Sequence, residues 1–131
     1  MPTVLLVRHG RTDANAAGIL AGRAPGIQLD DAGHEQSRAL AARLSDVPLA
    51  AVVSSPLERC LETAAALVAG RDGVVVQADD RLTEYGYGDW TGRRLKELAR
   101  DPMWKVVQSH PSGVTFPGGE SIRAAQARAV D

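Results

Sequence analysis

Three places in the chain end an apolar run in residues able to handle a phosphoryl group. Thr3–Val7 delivers Arg8, His9 and Gly10. Leu49–Ser54 delivers Ser55 and, one helical turn on, Arg59; Val74–Val76 is followed by Asp79, Asp80, Arg81 and Glu84. Arginine offers a planar, permanently charged fork that matches phosphate oxygens, and helix N-termini add N–H groups of the same polarity. Beside them His9 is the natural nucleophile, because flanking guanidiniums stabilise the oxygens of a transferring group. Glu84 is the candidate proton donor to the leaving oxygen.

That chemistry requires elements that bring three run ends to one crevice. Thr3–Val7 reads as a strand covered on both faces, being continuous, apolar and rich in β-branched residues. Asp31 reads as the cap of a helix from about Ala32 to Leu44, broken at Pro48. Leu49–Ser54 reads as a second strand. Ser55, Pro56 and Glu58 then fit a capping box, ahead of Leu57, Leu61, Ala64, Leu67 and Val68 on one helical face. Val74–Val76 is the third expected strand. The alternation predicts an α/β fold with a mostly parallel sheet, whose ligands sit at the carboxyl ends of the strands. Beyond Trp90 the pattern weakens to a helix around Arg94–Arg100 and one opening near Ser121, separated by "HPSGVTFPGGES".

Composition limits the alternatives. The 131 residues fit one domain, 1–131, and the net charge of -1, from 15 Lys and Arg against 16 Asp and Glu, offers no electrostatic case for nucleic acid or an anionic membrane. A single cysteine, Cys60, excludes an internal disulfide and fits a reducing cytoplasm. No apolar stretch approaches a membrane span, and the Met1 region lacks the pattern of a signal peptide. The expectation is a soluble, cytoplasmic protein.

The blocks "LLVRHGRTDAN", "GIQLDDAGHEQ", "SSPLERCLETA", "RLTEYGYGDWTG" and "FPGGES" resemble, in order and spacing, those of the histidine phosphatase, or phosphoglycerate mutase-like, superfamily. The resemblance implies a three-layer α/β/α fold. It implies that His9 is phosphorylated in turnover, that Arg8 and Arg59 hold the phosphoryl oxygens, that Asn15 assists, and that Glu84 serves leaving group and water. Gly10, Arg11, Gly22 and Arg23 complete the candidate substrate- and phosphate-binding set. The implied partner is a small phosphorylated substrate, with no cofactor and no metal.

Departures accompany the likeness. The family's second histidine lies on a strand after the "GGES" helix and beside the first strand, whereas this sequence stops at Asp131. The expected fold is therefore incomplete at the C-terminus, with an unpaired edge that would invite a partner, a second copy of the chain included. His110, in "VVQSHPSG", precedes "FPGGES" and reads as a decoy; Arg11 would make the pocket mouth more basic. The functional expectation is a phosphatase acting through phosphohistidine. A mutase is the nearer alternative, disfavoured because mutases carry a longer insertion where this chain has Gly88–Phe116. A catalytically impaired remnant binding phosphate or a partner is the other.

Plainer roles are expected elsewhere. Glu58 reads as the capping partner of Ser55, His34 as a solvated helix residue and Cys60 as an inert buried thiol. The pairs Asp30–Asp31 and Asp79–Asp80 read as a helix cap and a loop rather than metal ligands. Trp90 and Trp104 read as packing, with Tyr85, Tyr87 and Trp90 near the substrate mouth. Gly118, Gly119 and Glu120 form a turn and helix start that, by resemblance, border the pocket.

Overall fold

The computed structural model describes all residues, 1–131. Its sheet is a parallel pair, β1 (Val52–Ser54) and β2 (Val76–Ala78), in the register Val52↔Val76. Parallel neighbours need a crossover. Helix α3 (Glu58–Val68) supplies it, burying Ala64 and Leu67. β2 begins two residues later than the apolar run, at the point where Val76 comes opposite Val52.

Ahead of the sheet lie a single turn, α1 (Asp13–Ala16), and the longer α2 (Asp31–Arg43). Asp30, not Asp31, caps α2: its carboxylate accepts the Gly33 N–H at 2.7 Å, and Asp31 is the first helical residue. Helices α2 and α3 pack together, and Arg71 ties their ends by donating to the carbonyls of Leu44, Val47 and Leu67.

The capping box expected for α3 does not form. Leu57 is its N-cap, without a side-chain bond. Glu58 turns away to accept the Gly26 N–H at 3.1 Å, while Ser55 Oγ accepts the Leu57 N–H at 3.3 Å. A tertiary acceptor role has displaced the local one.

Thr3–Val7 departs further from expectation. The segment makes no backbone hydrogen bond and is not a strand. Val4 and Leu6 are 78% and 94% exposed. No chain lies alongside to accept the ladder, so the apolar run has nothing to bury against.

The aromatic core forms where the sequence pattern is least regular. Trp90, Leu98, Val114 and Phe116 are buried together, with Tyr85, Tyr87, Trp104 and Ile122 packed around them. Trp90 stacks on Trp104, as packing residues should, at a centroid distance of 6.2 Å and meets Phe116 edge-on at 5.5 Å. Around this core run α4 (Leu95–Leu98), α5 (Pro102–Ser109) and α6 (Ile122–Val130). α4 is one turn, shorter than the expected Arg94–Arg100. α5 was unanticipated, although Asp101 caps it at the Met103 N–H (2.9 Å) and Pro102 occupies its first turn. Ser121 caps α6 through the Ala124 N–H at 3.1 Å. No helix is long and apolar enough to cross a membrane.

Candidate active site

The turn that follows the unpaired segment is fixed from α3. The buried Thr63 hydroxyl accepts the Gly10 N–H at 3.0 Å and donates to the Arg59 carbonyl at 2.8 Å. This places His9 against Arg59, whose Nε lies 3.3 Å from His9 Nε2.

The histidine tautomer follows from its partners. His9 Nδ1 lies 2.7 Å from the carbonyl oxygen of Gly10, which can only accept, so Nδ1 carries the hydrogen. Nε2 then presents its lone pair, on which the Arg59 Nε–H bears. Arg59 is only 4% exposed, and its Nη2 donates to the Gly22 carbonyl at 2.8 Å. Of the guanidinium's five N–H donors these contacts use two, leaving three without a side-chain or carbonyl partner.

Helix α3 also holds the loop that carries Gly22. Beside the Glu58 bond to Gly26, the Glu62 carboxylate accepts the Leu29 N–H at 2.8 Å. Gly22 has φ +54, and a Cβ there would stand 2.9 Å from the Tyr87 ring, so the close approach requires glycine.

Glu84 stands on the segment after β2. Its carboxylate accepts the Tyr85 N–H at 2.8 Å. Its charge reaches two neighbours: the Tyr87 phenol is held above its usual value by burial and then by Glu84. Burial likewise pushes the Cys60 thiol up, opposed by the Ser55 hydrogen bond and the Arg59 charge and reinforced by Glu84. Arg59 and Glu84 thus act on the same two side chains from opposite signs.

The other candidates are distributed unevenly. Arg8, His9, Gly10 and Thr63 line a cavity of about 150 Å³ with Gln36 and Ser37 of α2, and Arg8 is exposed. Glu84 instead borders a depression of about 270 Å³ with Arg81, Tyr85 and Arg128. Asn15 is engaged at α1, its amide oxygen accepting from the N–H and hydroxyl of Thr12 at 3.1 and 3.0 Å. Arg11 pairs with Asp30 at 2.6 Å, which offsets the expected basic mouth. Arg23 donates to the Glu84 carbonyl at 2.7 Å and pairs with Glu120 at 3.0 Å. His34 is a half-exposed helix residue 3.9 Å from Glu62, and His110 is exposed at the end of α5.

With this arrangement in view, the chain matches the family described as the histidine phosphatase superfamily (branch 1) over residues 4–131. It belongs to that superfamily. Among the histidine phosphatases it resembles the fructose-2,6-bisphosphatase TIGAR of Xenopus tropicalis, at 36% identity over 129 residues, 96% of this chain and 46% of that protein. It is 38% identical over 96 residues to the adenosylcobalamin/alpha-ribazole phosphatase of Salmonella typhimurium, 73% of this chain and 46% of that protein. The chain thus spans about half the length of these curated relatives. The mycobacterial glucosyl-3-phosphoglycerate phosphatase in complex with VO3 superposes with a TM-score of 0.82 at 33% identity, covering 92% of this chain and 60% of that one. The alpha-ribazole phosphatase of Shigella flexneri superposes with a TM-score of 0.79 at 31% identity, over 93% and 60%. The fold is that of the histidine phosphatases, α/β as expected.

One residue near the site escaped the sequence reading. Arg128, in α6, donates to the carbonyls of Arg81 (2.7 Å) and Glu84 (3.2 Å) and pairs with Glu120 at 2.7 Å. Its place in the last turn of α6 carries no signal of that reach.

Proposed function

We propose that this chain carries the nucleophile, phosphate clamp and proton donor of a phosphatase acting on a small phosphomonoester. The observation that carries the reading is the His9 ring: Nδ1 is bound to the Gly10 carbonyl, which leaves the attacking lone pair on Nε2, where it accepts the Arg59 Nε–H at 3.3 Å until a phosphoryl group takes its place. His9 Nε2 forms a bond to phosphorus as the ester P–O bond breaks, and Glu84 gives its proton to the departing oxygen. Water then attacks the phosphohistidine, Glu84 takes up a proton, the P–N bond breaks and phosphate leaves. Arg59, with the exposed Arg8 that precedes His9 in the chain, stabilises the charge on the transferring oxygens. Asn15, Gly10, Arg11, Gly22 and Arg23 shape the surrounding loops.

Support also comes from the four relatives described above, each named as a phosphatase of a small phosphorylated compound. The absence of excess positive charge favours such a substrate over nucleic acid, and the single cysteine fits a cytoplasmic setting. The test is hydrolysis of a generic phosphomonoester with capture of acid-labile phosphate on His9, vanadate serving as the competing ligand. The expected outcome is label on the unmodified chain and none on His9→Ala. Phosphoglycerate isomerisation faster than hydrolysis would make the protein a mutase. Binding of vanadate without any labelling would make it a binding protein instead.

A further inference from the structure

Residues Leu82–Gly88, which carry Glu84, are held largely from outside their own segment. Gly86 is clamped on both sides by one residue: its N–H donates to Glu120 Oε1 at 3.0 Å, and its carbonyl accepts the Glu120 N–H at 2.8 Å. The Glu84 carbonyl receives Arg23 Nε at 2.7 Å and Arg128 Nη2 at 3.2 Å. Both arginines also reach Glu120 Oε1, at 3.0 and 2.7 Å, and Arg128 Nε lies 3.3 Å from Oε2. One carboxylate therefore organises two cations and a backbone amide around the two peptides that flank Tyr85. An exposed ion pair contributes little by itself, but here Arg128 and Glu120 are mostly covered, with Arg23 half-exposed beside them, and the network is shared with backbone groups.

We propose that Glu120 is a positioning residue for the proton transfer assigned to Glu84. It holds the backbone on either side of Tyr85, and so fixes the direction in which the Glu84 carboxyl points. The inference rests on the reading of Glu84 given above.

A misdirected proton donor has a signature that general loosening lacks. Esters whose leaving group departs readily as an anion need little protonation, whereas alkyl esters need it fully. Hydrolysis of an alkyl phosphate and of p-nitrophenyl phosphate is therefore compared in the unmodified protein, Glu84→Gln, Glu120→Gln and Arg128→Lys. In Glu120→Gln, kcat/KM on the alkyl ester, which reports phosphoryl transfer to His9 alone, is expected to fall roughly tenfold or more, from the 10²- to 10⁴-fold that such catalysis supplies. Its kcat/KM on p-nitrophenyl phosphate should stay within about threefold, because His9 and Arg59 are untouched and that leaving group needs no proton. The kcat values on the two esters do not enter the comparison, since hydrolysis of the shared phosphohistidine also uses Glu84. Amide exchange at Gly86 should quicken. Arg128→Lys keeps the charge but loses the fork, and carries the same test if Glu120→Gln does not fold. Equal loss on both esters, or no loss on either, overturns the role of Glu120 while leaving Glu84 intact. If Glu84→Gln itself shows no preference between the esters, or the unmodified protein hydrolyses neither, the proton-donor reading falls and this assignment with it.

Discussion

Gly10 and Gly33 lie in backbone contact: a Cβ on Gly10 would stand 2.5 Å from the Gly33 carbonyl oxygen, and one on Gly33 would stand 2.0 Å from the Arg11 carbonyl oxygen. The turn that presents His9 is seated directly on the first turn of α2, and neither side can yield a methyl's width without moving backbone.

Gly10→Ala is accordingly expected to lower stability by about 1–3 kcal/mol, as overpacking does. It should also displace His9 from Arg59. Thermal unfolding reads the first effect and phosphohistidine labelling the second; an unchanged melting temperature would contradict the contact.

Arg59→Lys removes the fork that spans His9 and Gly22 while keeping the charge. Charge-assisted hydrogen bonds contribute about 1.5–3 kcal/mol each. Vanadate affinity, measured by calorimetry, should therefore fall roughly tenfold to a hundredfold. Retained affinity would mean that the guanidinium geometry is not what binds the anion.

Leu98 is fully buried against Trp90, Val114 and Phe116. Leu98→Ala should cost about 2–5 kcal/mol through lost burial and the cavity left behind. Urea unfolding followed by tryptophan fluorescence would report it through both Trp90 and Trp104.

Stability should fall at both ends of the pH scale. Arg128 holds the Glu120 carboxyl below its ordinary 4.5, and Arg81 holds Asp79 at about 2 against 3.8. The unfolded chain takes up these protons first on acidification, so the stabilisation is complete above about pH 4.5 and is lost as pH falls towards 2. Burial holds Tyr87 above its ordinary 10.0, so the unfolded chain loses that proton first and stability declines as pH rises past 10.0. Melting temperatures across pH check both limbs. Glu120→Gln should flatten the start of the acid limb and Tyr87→Phe the alkaline one.

The parts of the fold that were legible in sequence are those with local causes. α2 follows from an acidic residue at its start and the break at Pro48, α3 from Leu61, Ala64, Leu67 and Val68, and α6 from Ser121. Capping by Asp30 in place of Asp31, and the turning of Glu58 towards Gly26, were not legible, because adjacent residues compete for one role and tertiary partners decide between them. Thr3–Val7 misled for a related reason: β-branched, apolar composition describes a side-chain preference, whereas a strand exists only when a neighbour accepts its hydrogen bonds. The pairing of His9 with Arg59 could be anticipated from run ends and motif blocks. The Glu120–Arg128 network could not, since an arginine on a helix surface carries no mark of its distant acceptors.

The candidate site is assembled almost entirely from contacts remote in the chain. Arg59 meets His9 across 50 residues, Thr63 meets Gly10 across 53, Arg23 meets Glu84 across 61 and Glu120 across 97. Such contacts repay their loop-closure entropy only once most of the chain is in place. Ligand binding should therefore appear in refolding as a late, single event coincident with burial of the tryptophans. A protease cut in any loop between these segments would uncouple the halves of the site even where each fragment kept its helices.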